Sequence, residues 1–217
     1  MYGDTDSVFI ESLDTSKIEI LIEWAKSELG FDLEIDKTYI WLALTGRKKN
    51  YIGLKSDGKV DIKGVVGKKR HTPPFIRKTF SQMIEILKQM RTPEDEPKIK
   101  IAIIHLLDDA NSKLVAGQVP IEELAFAMGL NKDIEAYVKN VPQHVRVAKQ
   151  IEGSKAGDII RFVKTKGKNG VKPLRQASVA DVDIAKYQKF METAFIQVIE
   201  ALGMEWSEVS GQTKLFI

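Results

Sequence analysis

The sequence contains no cysteine. That excludes disulfide stapling and thiolate metal sites, so any metal would be held by oxygen or imidazole ligands. It also lacks an apolar run approaching the roughly 20 residues that a membrane span needs. Met1-Tyr2-Gly3-Asp4 offers neither the basic flank nor the apolar core of a signal peptide. A cytoplasmic protein without a membrane partner is the default expectation, and the want of thermolabile cysteine also suits a thermophile. Only three histidines occur. His71 and His105 share no metal-ligand spacing with other residues, and His105 is expected to be buried within its helix. There is no internal repeat, no low-complexity tract, no glycine-rich phosphate loop of the P-loop type and no nucleophile–histidine–acid set.

What is present is 217 residues with 43% hydrophobic and 29% charged side chains, the make-up of a soluble globular protein with one large domain or two small ones. The net charge of +3 averages over polarised blocks. Residues 1–44 hold three basic and ten acidic side chains, whereas 45–91 hold thirteen basic and three acidic. Residues 92–138 return to four against nine, 139–175 swing to ten against two, and 176–217 end at three against six. Two basic blocks separated by an acidic one fit a surface that meets a polyanion at two places. The alternative is chance clustering on solvated faces.

Local patterns divide the chain. A strand at Met1–Gly3, a turn at Asp4-Thr5-Asp6 and a return strand at Ser7–Glu11 open it. Asp14, Thr15 and Ser16 are candidate N-caps for a helix to Leu29, with Ile18, Leu21, Ile22, Ala25 and Leu29 at helical spacing and Gly30 as the C-cap. Residues 31–63 read as strands at Phe31–Ile35, Thr38–Thr45, Asn50–Leu54 and Val60–Lys63, the last two joined by the hairpin signal Ser56-Asp57-Gly58. After the basic, Gly-rich hinge Gly64–Arg70, Thr72 with Pro73 and Pro74 starts a helix to about Met90. Thr92–Pro97 reads as a linker. A helix at about Lys98–Ala116, helical stretches near Ile121–Ala127 and Val141–Ile151, a ribbon of Asp158–Thr165 with Gly170–Arg175, and an amphipathic helix Ile184–Leu202 follow, before a polar tail. Trp24, Trp41 and Trp206 are expected in the core or in domain packing. The fold class is α+β.

Asp4 and Asp6 alternate in an extended segment, so both carboxylates project to one side, ~6.6 Å apart along a straight strand and less in a turn. A helix would separate them by about 200°. Carboxylates converging at a turn suit hard divalent cations such as Mg²⁺, and such ions catalyse phosphoryl transfer when two sit about 3.5–4 Å apart. By itself Asp-x-Asp is equally the signature of a turn or cap.

Over all six residues Tyr2-Gly3-Asp4-Thr5-Asp6-Ser7 resembles the most characteristic motif of family B DNA polymerases. The resemblance implies a palm hairpin whose carboxylates are catalytic and bind metal, with Asp6 bridging both ions and Asp4 as its companion. Downstream, at the spacing that family requires, Lys48-Lys49-Asn50-Tyr51 resembles its Lys-Lys-x-Tyr primer grip. There a lysine reaches minor-groove acceptors presented by every correct pair, and the tyrosine contacts the backbone near the primer terminus. Gly64–Arg70 is similar to the palm-to-thumb crossing. Lys69 and Arg70 keep its charge, but His71 stands where that family has an aspartate. Tyr137, Lys139 and Pro142–Ala148 resemble the thumb segment that closes on duplex DNA; His144 there either faces phosphate or is a structural histidine. The tail, with Gln212, Leu215 and Phe216, resembles a sliding-clamp-binding peptide without its usual spacing and second aromatic, or is a plain hydrophobic C-terminus.

The resemblance spans essentially the whole chain and is most specific over residues 1–64. It implies a partial palm (antiparallel sheet with helix) at 1–64, a mainly helical thumb with a small β ribbon at 65–210, and a tail at 211–217. It implies a DNA-directed DNA polymerase subunit that uses two Mg²⁺ ions shared with a larger chain carrying the remaining palm, the fingers and the exonuclease. Primer–template DNA, deoxynucleoside triphosphates and a sliding clamp are the other partners implied. Met1 abuts the first motif, as in a naturally split polymerase beginning at a genuine start codon; an excised fragment is the other origin. The rival function is a non-catalytic DNA-binding scaffold with the same fold.

Overall fold

Residues 2–4, 7–11, 14–44, 50–64 and 71–209 are described by the computed structural model. The first strands, β1 (Tyr2–Asp4) and β2 (Ser7–Phe9), pair antiparallel with Tyr2 opposite Phe9, Gly3 opposite Val8 and Asp4 opposite Ser7. Helix α1 (Thr15–Leu29) starts where the Asp14 carboxylate accepts the Ser16 backbone N–H at 3.1 Å. It stops at Gly30, whose φ of 70° is the left-handed conformation that ends helices.

The strands β3 (Tyr39–Leu44), β4 (Tyr51–Lys55) and β5 (Val60–Lys63) form an antiparallel sheet with β4 in the middle. The β4–β5 turn is set by Asp57, which accepts the Lys59 N–H at 3.0 Å, and by Gly58 at φ 80°. Alternation gives the sheet two different faces. Trp41, Ala43, Ile52, Val60 and Ile62 face the apolar core. Opposite them, register places Gly53 between Leu42 and Asp61, and Tyr51 beside Lys63.

Three helices supply nearly half of the core. Buried residues recur three or four apart in α2 (Pro74–Leu87), α3 (Glu96–Val115) and α5 (Ile184–Ala201), including Ile76, Phe80, Met83, Ile103, Leu107, Phe195 and Val198. The strands β6 (Phe126–Gly129), β7 (Ile159–Lys164) and β8 (Val171–Pro173) make a second antiparallel sheet, joined by the short helix α4 (Gln143–Ala148) between β6 and β7. Tyr187 carries a polar atom into this interior and satisfies it twice, donating to the Leu124 carbonyl at 2.7 Å and accepting the Lys164 N–H at 3.1 Å. The chain is α+β, as its patterns imply.

Several elements differ from the sequence reading. Phe31, Leu33 and Ile35 alternate like a strand, but the segment is not one; all three are exposed and none pairs with a strand among the described residues. Thr92–Pro97 is a capped corner rather than a linker. Asp95 Oδ2 accepts the Arg91 and Thr92 backbone N–H groups, each at 2.9 Å, and the turn runs directly into α3. The expected helix at Ile121–Ala127 is a 3₁₀ turn followed by β6, so the β ribbon has a third strand. A last short helix, α6 (Trp206–Val209), precedes the tail, which lies outside the described residues. His105 is exposed, on the outward face of α3, and Trp24 is half exposed. Trp41 and Trp206 do pack against the core.

Candidate metal and nucleic-acid site

The β1–β2 hairpin positions the acidic motif. Asp4 takes the last paired position of β1, and the connection to Ser7 is Thr5-Asp6, which lies outside the described residues. The Asp-x-Asp reading of a turn between two strands therefore falls partly outside the described residues. Among the described residues, no group of three or more His, Cys, Asp or Glu side chains could hold a metal ion. Two aspartates match a hard cation in kind but fall short of its usual six or more oxygen ligands in number.

Tyr51 opens β4 on the sheet face opposite the core, and it connects to the hairpin through rings. Its ring meets Phe9 of β2 edge-on with centroids 5.4 Å apart and Tyr39 of β3 at 6.4 Å, while Phe9 and Tyr39 are also 6.4 Å apart. Such edge-to-face aromatic pairs contribute about 0.5–1.5 kcal/mol beyond their burial. The start of β4 is thus held directly against the strand that leaves the acidic motif. Lys48 and Lys49, which precede it, lie outside the described residues, as do Lys69 and Arg70 of the crossing segment and Gln212, Leu215 and Phe216 of the tail.

A polar cluster that sequence reasoning missed sits on the same face. Asp61 Oδ2 accepts the Tyr39 hydroxyl at 2.7 Å, the Lys37 ammonium at 3.0 Å and the Tyr51 hydroxyl at 3.4 Å. Burial works to raise the Asp61 pKa, but the hydrogen bonds from Tyr39 and Lys37 outweigh it and hold the carboxyl below its ordinary value. Burial, then the bond to Asp61, push the Tyr39 phenol up. Gly53, a glycine inside a strand, was the available signal. A Cβ there would meet the Tyr39 ring at 2.7 Å and the Trp41 carbonyl at 2.9 Å, so the Tyr39 ring occupies the space that a side chain would fill.

Around α4 the cationic block is open to solvent. Lys139, Arg146, Lys149, Lys155, Arg161, Lys168 and Arg175 are exposed, and none is ion-paired to a described carboxylate. In α3, by contrast, Lys100 pairs with Glu96 at 2.6 Å and Lys113 with Asp109 at 2.6 Å. Unpaired cations are the ones free to neutralise phosphate. His144 is 8% exposed, its ring edge-on to Tyr137 at 6.4 Å, and its Nδ1 has no hydrogen-bond partner among the described residues. Burial lowers its pKa, which favours the neutral ring.

Comparison with known proteins gives the family and a likeness of fold. Residues 1–201 match the family described as DNA polymerase family B. The chain is 40% identical over 214 residues to DNA polymerase 1 of Saccharolobus solfataricus, covering 97% of this chain and 24% of that protein. It is 36% identical over 219 residues to DNA polymerase 1 of Aeropyrum pernix, covering 99% and 23%. The family B DNA polymerase structure from Pyrobaculum calidifontis superposes with a TM-score of 0.58 at 18% identity, covering 94% of this chain and 25% of that one, which is a likeness of fold. The chain thus spans about a quarter of the length of the curated relatives it matches.

Proposed function

Because this chain belongs to the family B DNA polymerases, we propose that it supplies the metal-binding hairpin, the primer grip and a duplex-binding thumb to a DNA-directed DNA polymerase. Family B polymerases are generally metal-dependent. Asp4 and Asp6 would hold two Mg²⁺ ions together with carboxylates from a larger chain that carries the rest of the palm. When bound, these ions supply charge stabilisation for attack of a primer 3′ hydroxyl on a deoxynucleoside triphosphate. Residues 1–64 act as the palm portion, 65–210 as the thumb and 211–217 as a tail, with the tail offered to a sliding clamp.

The observation that carries this reading is the ring contact between Phe9 and Tyr51 at 5.4 Å. It joins the strand that leaves the first motif to the tyrosine of the second, more than forty residues apart in the sequence, which supports a site that couples metal chemistry to a primer end. Lys48 and Lys49 precede Tyr51 in the sequence, and Lys69, Arg70 and Lys139 are the further residues assigned to duplex contact. His144 then serves by packing Tyr137 rather than by touching phosphate. The short share of the relatives' length supports a larger partner region.

Primer extension tests the reading directly. It is measured for this chain, for a larger chain with the remaining palm, fingers and exonuclease, for their mixture, and for the mixture carrying Asp6→Ala. Synthesis is expected only in the wild-type mixture, with assembly and exonuclease activity spared in the mutant. Extension by this chain alone, or full activity with Asp6→Ala, sinks the proposal. Duplex binding with no synthesis in any mixture would instead indicate the non-catalytic scaffold.

A further inference from the structure

Lys37, just before β3, Tyr39, at the start of β3, and Tyr51, at the start of β4, converge on a single oxygen of Asp61 in β5. Two backbone irregularities aim them. The β3–β4 register shifts between Tyr39 and Trp41, a bulge that redirects the side chain of Tyr39. Gly53, opposite Asp61 in the ladder, leaves open the strip of β4 across which Tyr39 reaches. A sheet that needed only to pack could fill that strip with a side chain and keep straight pairing.

The three bonds are not equivalent. Tyr39 at 2.7 Å and Lys37 at 3.0 Å have ordinary hydrogen-bond lengths, whereas Tyr51 at 3.4 Å is at the outer limit. Tyr51 is only 7% exposed and lodged between Phe9 and Tyr39, so it has little freedom to search for a ligand. What its hydroxyl meets is set by its neighbours. Lys37 matters for a second reason: it neutralises a carboxylate that would otherwise repel nearby phosphate.

We propose that Asp61 is a positioning residue for the primer grip. Anchored by Tyr39 and Lys37, it holds the Tyr51 hydroxyl in place until a primer phosphate oxygen takes over as acceptor. This inference rests on the reading that Tyr51 contacts the primer backbone. Asp61 itself touches no DNA. On exchange, the Tyr51 hydroxyl turns to the phosphate while the two shorter bonds to Asp61 stay in place, so the ring and the β4 edge do not move.

The test is a double-mutant cycle on the affinity of the full chain for a fluorescent primer–template duplex, read by anisotropy. Tyr51→Phe and Asp61→Ala are each expected to weaken binding about three- to tenfold, the worth of one hydrogen bond. The double variant should be no weaker than either single one, within about twofold. Lys149→Ala is a control whose loss should add in full to that of Asp61→Ala. Tyr39→Phe, which removes only the shortest bond, reads the same coupling should Asp61→Ala fail to fold. Losses at 51 and 61 that add in full, or unchanged affinity in Asp61→Ala beside a weakened Tyr51→Phe, overturn the positioning role alone. Unchanged affinity in Tyr51→Phe removes the primer-grip reading of Tyr51 and the inference with it.

Discussion

The indole Nε1 of Trp41 donates to the backbone carbonyl of Met90 at 2.9 Å. This bond joins β3 to the turn just beyond α2, across 49 residues of chain, where Ile52 and Leu87 also enter one continuous core. The sheet and the helices therefore share packing rather than meeting at a loose boundary near residue 64. Trp41→Phe keeps most of the ring but leaves the carbonyl without its donor, which is expected to destabilise the chain by about 1–2 kcal/mol. Thermal unfolding should show one lowered transition. Two separate transitions in the wild type would mean that the two parts are independent.

Duplex affinity should be electrostatic and fall steeply with salt, because residues 139–175 hold many exposed cations without an ion-pair partner among the described residues. Removing Lys139 and Lys149 together is expected to lower the slope of log K against log salt by about 1–2. Lys48→Ala with Lys49→Ala should weaken primer–template binding as well. Wild-type binding and extension by that pair would end the primer-grip assignment.

Local chemistry explains which features were legible in the sequence. Asp14 and Gly30 delimit α1, Asp57-Gly58 makes the β4–β5 turn, and Tyr2–Ser7 is a complete motif on a hairpin; each acts within a few residues of itself. The Asp61 cluster escaped notice because it depends on cross-strand register, and one bulge before Trp41 decides where Tyr39 points. Strand β6 escaped because Phe126-Ala127-Met128 has no alternation and is fixed only by pairing with β7. The face of α3 that His105 occupies was misjudged: apolar Ile101, Ile104 and Leu106 lie around it, yet the buried stripe is Ile99, Ile103, Leu107 and Leu114.

His144 sets an acid limit on stability. Burial lowers its folded-state pKa below the ordinary 6.5, so the unfolded chain binds the extra proton first as pH falls. The stability tied to the neutral ring is therefore present above the unfolded value and lost as pH drops through it toward the folded one. The melting temperature of the wild type should fall between pH 7.5 and 5.5 by more than that of His144→Phe, buffers matched. Equal falls in the two proteins would remove His144 as the source.

Exposed apolar residues predict where the larger chain docks. Of the large hydrophobic side chains exposed among the described residues, ten lie within residues 8–44 and six are scattered between Ile101 and Val179. Helix α1 is apolar on two sides: Ile18, Leu21, Ile22 and Ala25 are at least half buried, while Ile20 and Trp24, one turn apart, are 65% and 50% exposed. Phe31 beyond Gly30 is 63% exposed. A helix whose apolar residues spread over two sides is normally covered on both. A patch of this kind on a lone chain is an association surface or an aggregation hazard. Covered by the rest of a palm, it becomes interior. Trp24→Glu with Phe31→Glu is therefore expected to weaken assembly with the larger chain by at least about tenfold, since each change places a charge in a desolvated interface. Both positions lie far along the chain from the exposed lysines of 139–175, so duplex binding by this chain alone should be unchanged. Size-exclusion chromatography and primer extension of the mixed chains read the first effect, and anisotropy with duplex DNA reads the second. Normal assembly by the double variant would place the interface elsewhere.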